Sequence, residues 1–258
     1  LVFIYPLEIF LERVMKKQRT GFAFIVIAYW LLALSRPSFA QFDPERLNEE
    51  ILNYRMMAAG KQIGVANVVI RRETQNDILL IRIVQAISGA FNQTSETVLR
   101  ADSTLRPISS STTITRGDQV HAIRLNYTAH RVSGRMEIPP ALGGDRRINE
   151  IVKPNTVDFN AAEFALRASD LQIGRTAAFP IYNPQQGGQI ACRATFSRLE
   201  EVVVPAGSFR CRRVEAVTGQ TRQIYFFDDK FPHRLVLQKL QGLNVDIELL
   251  PIEPSAVR

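Results

Sequence analysis

The chain has 258 residues, 46% hydrophobic and 22% charged, an ordinary globular balance that excludes wholesale disorder and a polytopic membrane protein. Three His and two Cys leave little material for a metal centre. The 32 basic and 25 acidic residues give a formal charge of +7.

The first forty residues read as an export signal. Lys16, Lys17 and Arg19 form a positive region, residues 21–34 are a run without charge, and Ser38 and Ala40 place small side chains where a signal peptidase inspects them. Cleavage is expected after Ala40, giving a mature start at Gln41 and a periplasmic location. The uncharged run falls short of the roughly 20 residues that span a bilayer as a helix. An uncleaved anchor is the competing reading, and Arg36 and Pro37 fit it poorly. Residues 1–14 precede Met15, match no part of a bacterial signal, and read as an extension upstream of the true start. Removing residues 1–40 takes away five basic and two acidic side chains and leaves a net charge of +4. The remaining basic residues are scattered singly or in pairs such as Arg71-Arg72, not gathered on the stripe that a nucleic-acid binder needs.

Residues 41–258 are expected to form a single β-rich domain. Asp43-Pro44 offers a cap followed by Pro at a first helical position. Leu47, Ile51, Leu52, Met56 and Ala59 recur at helical spacing and Gly60 can end the run, so a short N-terminal helix is expected over 44–59. Beyond Gly60 the pattern turns to period two. Segments 65–71, 78–87, 95–99, 120–132, 176–182, 190–204, 208–217, 223–227, 234–240 and 245–250 read as strands. Ile123, Leu125, Tyr127 and Ala129 alternate with Arg124, Asn126, Thr128 and His130, the mark of an antiparallel strand with one face in water. Turn signals separate the segments: Gly117-Asp118, Asn183-Pro184, Gly187-Gly188, Pro205-Ala206-Gly207 and Gln241-Gly242. Residues 138–155, with three Pro and two Gly, read as the longest irregular loop. One internal helix is expected over 160–169, with Asn160 as cap, Glu163 completing a capping box, and Phe159 and Phe164 as a staple. The fold class is therefore all-β in the main. Ten or more strands in one chain imply a large curved antiparallel sheet or a partly open β-barrel.

Little in the chain carries chemistry. Cys192 and Cys211 both fall on inward faces. A tight hairpin at 204–208 sets Val203 opposite Ser208 and Cys211 opposite Glu200, which leaves Cys192 about 27 Å along the strand. A disulfide between them needs the sheet to curl, and two separate buried thiols are the other reading. The apolar phase slips near Arg198 and near Arg212, which points to bulges. His121, His130 and His233 sit on separate segments without metal-ligand spacing. Nothing resembles a G-x-S-x-G nucleophile elbow. Asp228-Asp229 reads as a solvated turn. No catalytic residue, metal or cofactor is expected.

The run from Glu201 to Glu215, with Val204-Pro205-Ala206-Gly207-Ser208-Phe209 and Cys211, resembles the V-x-V-P-A-G-[ST]-F-x-C-x-x-V hairpin of the bacterial exported family called domain of unknown function 3108. Leu105-Arg106-Pro107 resembles that family's strand end, Leu166 to Gly174 its short helix followed by L-x-x-G, and Tyr225 to Leu237 its apolar strand, acidic turn and Pro. The matches span roughly residues 64–250; Tyr225-Phe226-Phe227 stands without the usual Trp. The resemblance implies an antiparallel, partly open β-barrel in the periplasm and carries no catalytic residues. In the hairpin itself Pro205 fixes φ, Gly207 supplies a positive φ and Phe209 anchors the core. The expected function is that of a non-enzymatic envelope protein holding an apolar or lipid-like molecule in its curved sheet, beneath the 44–59 helix. A structural or assembly partner in the envelope, with a filled core, is the alternative, and an envelope hydrolase a third. No nucleic-acid partner and no transmembrane span in the mature chain are expected.

Overall fold

The computed structural model describes residues 41–251 apart from 90, 141–143 and 171, all within one compact unit. The expected signal and its cleavage site at Ala40 lie outside the described residues. Fifteen strands form one sheet: β1 (Glu50–Ala58), β2 (Lys61–Gln75), β3 (Ile78–Gly89), β4 (Asn92–Arg100), β5 (Pro107–Arg116), β6 (Gln119–Tyr127), β7 (Arg131–Glu137), β8 (Arg146–Ile151), β9 (Val157–Asp158), β10 (Thr176–Asn183), β11 (Gly188–Val204), β12 (Gly207–Thr218), β13 (Thr221–Asp228), β14 (Leu235–Leu240) and β15 (Val245–Leu249). The single α-helix among the described residues, α1, spans Ala162–Ala168.

In space the order is β8-β7-β6-β5-β4-β3-β2-β1-β15-β14-β13-β12-β11-β10-β9, so the first and last strands meet in the middle and β8 and β9 are the edges. Every pairing is antiparallel except the two-residue contact of β9 with β10. No ladder joins the two edges, yet the sheet curls until side chains bridge them. The Tyr127 and Tyr182 rings meet edge-on at 6.3 Å. Arg146 Nη2 donates to the Pro184 carbonyl at 2.6 Å, and the Tyr127 hydroxyl donates to Asp158 Oδ2 at 2.5 Å. The result is the curved, open antiparallel sheet that the alternating pattern predicts.

The expected N-terminal helix over 44–59 is not there. Asp43 does cap, its side chain accepting from Glu45 N at 3.1 Å, but the helix it opens is a 3-10 turn of three residues, Pro44–Arg46. The chain then enters β1, where Leu52, Tyr54 and Met56 are buried at alternate positions. A strand that pairs with β2 on one side and β15 on the other gains ladder bonds along both edges, and this overrides a weak helical spacing. Gly60 serves as a hairpin turn instead of a helix end. Ala59 (φ 49°) and Gly60 (φ 76°) are both left-handed, the requirement of the tight turn whose twist matches the flanking strands.

The internal helix stands where the sequence places it, two residues shorter at its start. Asp158, not Asn160, provides the cap, accepting from Asn160 N at 2.9 Å and opening a 3-10 turn over Phe159–Ala161. The Asn160 amide instead donates to Ser110 Oγ and Thr112 Oγ1 on β5. The expected staple is absent, since Phe164 is buried while Phe159 is 42% exposed.

Phe164, Ala165, Leu166 and Ala168 of α1 pack into the main core with Leu52, Ile70, Ile83, Phe179, Phe196 and Phe227 from the sheet. A smaller cluster of Ile123, Leu125, Val132, Met136 and Ile148 gathers around Tyr127 and Tyr182 where the edges approach. Residues just after the expected cleavage site are tied in. Phe42 is buried, stacks edge-on against Phe179 at 5.5 Å, and its N–H donates to the Ser103 carbonyl at 3.0 Å.

The β11–β12 hairpin has the expected register, with Val203 opposite Ser208 and Val204 opposite Gly207. Gly207 has φ 130°, and Phe209 packs partly buried against the core. A bulge at 196–198 accounts for the slip near Arg198; no register shift accompanies the one near Arg212. The disulfide is not formed. Cys192 and Cys211 are free, buried thiols, Cys192 opposite Thr218 and Cys211 opposite Glu200, so the curl does not bring the two positions together.

Candidate functional site

α1 crosses the concave face and does not fill it. Between its first turn and one end of the sheet lies a cavity of about 410 Å³, within the range of roughly 300–1,000 Å³ typical of small-molecule sites. Gln85 and Ile87 of β3, Gln93 of β4, Ile181 of β10, Gln223 and Tyr225 of β13, and Gln238 and Leu240 of β14 form its wall. Phe159, Asn160 and Glu163 come from the helical segment, and Leu243 from the β14–β15 turn. The expectation of a cavity beneath the 44–59 helix therefore moves: the element over the concavity is α1, and Met56 and Met57 lie on β1 and line none of it. Its wall is mainly apolar in area but carries carboxamides from four strands, which a purely apolar ligand would leave unpaired.

The polar groups are partly organised among themselves. Gln223 Oε1 accepts from the Tyr225 hydroxyl and, at 3.2 Å, from Gln238 Nε2. Gln85 Oε1 accepts from Ser95 Oγ, and Gln85 Nε2 donates to the Asn160 carbonyl, each at 3.3 Å. Glu163 differs: its carboxyl has no hydrogen-bond partner among the described residues. Burial pushes it up to about 7, against a weaker opposing pull from Arg167 one turn further along α1. Burial also raises the Tyr225 and Tyr54 hydroxyls well above their ordinary value, and the nearby Glu163 carboxylate adds to the rise in both. Near neutrality this carboxyl thus retains a protonated form, which can donate as well as accept.

Behind Glu163 lies a buried ion cluster. Arg167 pairs with Glu50 of β1 and donates from Nε to the Pro232 carbonyl at 2.9 Å. Glu50 also accepts from Arg234 Nε at 2.8 Å. Two guanidinium groups share one carboxylate, and Arg167 Nη2 is buried without a hydrogen-bond partner among the described residues. Such a cluster fixes the rotation of α1, because leaving either charge unpaired in the interior is costly.

Sequence reasoning names Glu163 only as a helix cap and passes over the glutamines as strand positions. The signal was available, since Gln223 shares a face with Tyr225, and Gln238 with Leu240, by the period of two. Of the residues singled out from the sequence, Pro205, Gly207 and Phe209 sit at the β11–β12 turn and line none of this cavity. Burial raises both thiols, Cys211 to about 12 with nearby carboxylates contributing. Among the described residues no three His, Cys, Asp or Glu side chains cluster as a metal site would, and no helix is long and apolar enough to cross a membrane.

The model of the family described as protein of unknown function DUF3108 matches residues 53–247, the span of the sheet from β1 to β15. The chain belongs to the DUF3108 family. No curated protein is similar to this DUF3108 chain. It bears a loose likeness to a crystal structure from Bacteroides fragilis, described as that of a presumed exported protein with a YmcC-like fold. The two are 13% identical over 83% of this chain and 99% of the other, with a TM-score of 0.30.

Proposed function

We propose that this DUF3108 protein is an exported, periplasmic, non-enzymatic envelope protein, processed after Ala40, that holds a small molecule in the cavity beside α1. The observation that carries the reading is Glu163, a half-buried carboxyl at the wall of the cavity that makes no hydrogen bond to another described residue. A ligand entering the cavity displaces the water that such a carboxyl faces and must replace its hydrogen bonds, which makes Glu163 an anchoring point for a polar group. Binding is favoured over catalysis because Glu163, although raised toward the range of a general acid or base, has no Asp, His, Cys or Lys beside it in the cavity lining among the described residues to act as its catalytic partner. The carboxamides in the wall shift the expected ligand from an apolar lipid to an amphipathic or polar molecule. Export is supported by the charged, apolar and small-residue order of residues 15–40 and by the docking of Phe42 immediately beyond it.

Native mass spectrometry of the protein recovered from the periplasm tests the binding reading, and N-terminal sequencing of the same sample tests the location. A chain starting at Gln41, with an adduct lost in Glu163→Leu, is expected. No adduct, together with no saturable binding of a fluorescent fatty acyl probe, would move the assignment to an assembly partner. That second reading draws on Ile151 at the β8 edge, 77% exposed, where unpaired backbone groups could accept a further strand.

A further inference from the structure

The chemistry of the cavity wall narrows the class of ligand, an inference that rests on the binding reading above. Its neutral polar groups are mainly carboxamides, beside the hydroxyls of Thr218, Thr221 and Tyr225. The Gln93 side chain has no hydrogen-bond partner among the described residues, and Gln223 and Gln238 spend one amide group each on the other, leaving the Gln223 amide nitrogen and the Gln238 amide oxygen toward further partners. Glu163 adds a carboxyl without a hydrogen-bond partner among the described residues. Carboxamides offer a donor and an acceptor side by side without charge, which matches hydroxyl groups, each of which both donates and accepts.

Fixed charge on the ligand is disfavoured for either sign. No Lys, Arg or His lines the cavity, so an anion would meet only Glu163 and neutral groups. A cation would meet Glu163, but Arg167 and Arg234 share the single carboxylate Glu50 behind it, an excess of one positive charge close to the same helix. A purely apolar ligand would strip water from these amides without replacing its hydrogen bonds. An apolar patch does remain, with Ile87 and Leu240 in the wall and Phe159 exposed at its margin. Rings that carry hydroxyls on their edges and C–H groups on their faces satisfy both parts of such a wall.

We propose that the cavity binds a neutral, hydroxyl-rich ring compound of one or two sugar units, held by Glu163, Gln223 and Gln238. The volume of about 410 Å³ lies toward the lower end of the roughly 300–1,000 Å³ of small-molecule sites, which points to a compact ligand of one or two rings.

The test is isothermal and NMR titration of the processed protein at pH 6 with N-acetylglucosamine, trehalose and cellobiose, beside hexylammonium and dodecanoate. At least one of the three saccharides should saturate, with affinity falling tenfold or more in Gln223→Leu and Glu163→Leu. Glu163→Gln, which keeps a donor and an acceptor, should bind within about threefold of the original protein. Circular dichroism and urea unfolding of each variant separate lost binding from lost folding, and Gln238→Leu serves if Glu163→Leu fails to fold. Saturation by dodecanoate or hexylammonium alone, abolished by Glu163→Leu, would overturn the saccharide class and leave the binding site standing. Equal saccharide affinity in Gln223→Leu and Gln238→Leu would also overturn it. Silence from all five probes would overturn both.

Discussion

A carboxyl held near 7 in the folded chain, against 4.5 as its ordinary value, binds its proton more tightly folded than unfolded. The stability linked to Glu163 is therefore fully present below about pH 4.5, falls as pH rises toward 7, and is gone above it. With water in the cavity screening part of the effect, the loss is about 2 kcal/mol. Urea unfolding between pH 5 and pH 8 should show this slope, and Glu163→Gln should flatten it and be the more stable form at pH 8. Identical slopes in both proteins would mean the carboxyl is solvated. Gly207 tests backbone conformation alone. A Cβ added there would find its nearest heavy atom, Phe209 Cε2, at 3.9 Å, so space is ample and only φ 130° opposes a side chain. Gly207→Val should cost about 1 to 3 kcal/mol in the same measurement. The turn could be read from Pro205 and Gly207 because its chemistry is local. Glu163 could not, because its meaning depends on β13 and β14, about 60 to 75 residues further along the chain, closing around it.

At the scale of the element, β1 shows where periodicity misleads. Leu47, Ile51, Leu52 and Met56 satisfy a helical repeat, while Leu52, Tyr54 and Met56 satisfy a strand, and nine residues are too few for either period to dominate. The glycine that ends a helix and the glycine that turns a hairpin both need positive φ, so Gly60 did not discriminate. β5 and β8 were missed for another reason. The inward side chains of β5 include Ser110 and Thr112, which meet Asn160 and not an apolar core, and β8 is a short edge strand beginning Arg146-Arg147. β6 and β7 read as one strand because the turn between them, residues 128–130, carries neither Gly nor Pro. A substitution at Ala59 separates hairpin from helix by sign. Left-handed Ala is strained in the turn, and Asn-Gly is a preferred pair there, so Ala59→Asn should stabilise by about 0.5 to 1 kcal/mol. Within a helix the same change would destabilise by a similar amount. Thermal unfolding of the two proteins decides between them.

The order of strands has a consequence for the molecule as a whole. β1 and β15 pair Tyr54 with Leu249 and Ala58 with Val245, so the interior of the sheet is sealed by a contact between the two ends of the sheet-forming chain. The edges, by contrast, are mid-chain strands, β8 and β9, joined by a short connection and by side chains. A sequence pattern can identify strands and their faces, but pairing across nearly 200 residues leaves no local trace, and so the alternation gave the class of fold without the order. Such a closure is costly in loop entropy and forms only when both halves are in place. Damage to β15 should therefore act globally. Ile247 lies between Met56 of β1 and Gln238 of β14, and Pro there removes a donor from an interior ladder. Ile247→Pro should cost about 3 kcal/mol or more, with the two halves losing cooperativity, whereas Ile151→Pro at the end of the β8 edge should cost far less. Urea unfolding followed by both tyrosine fluorescence and circular dichroism makes the comparison. Coincident, unshifted transitions in Ile247→Pro would show that the β1–β15 contact does not hold the sheet together.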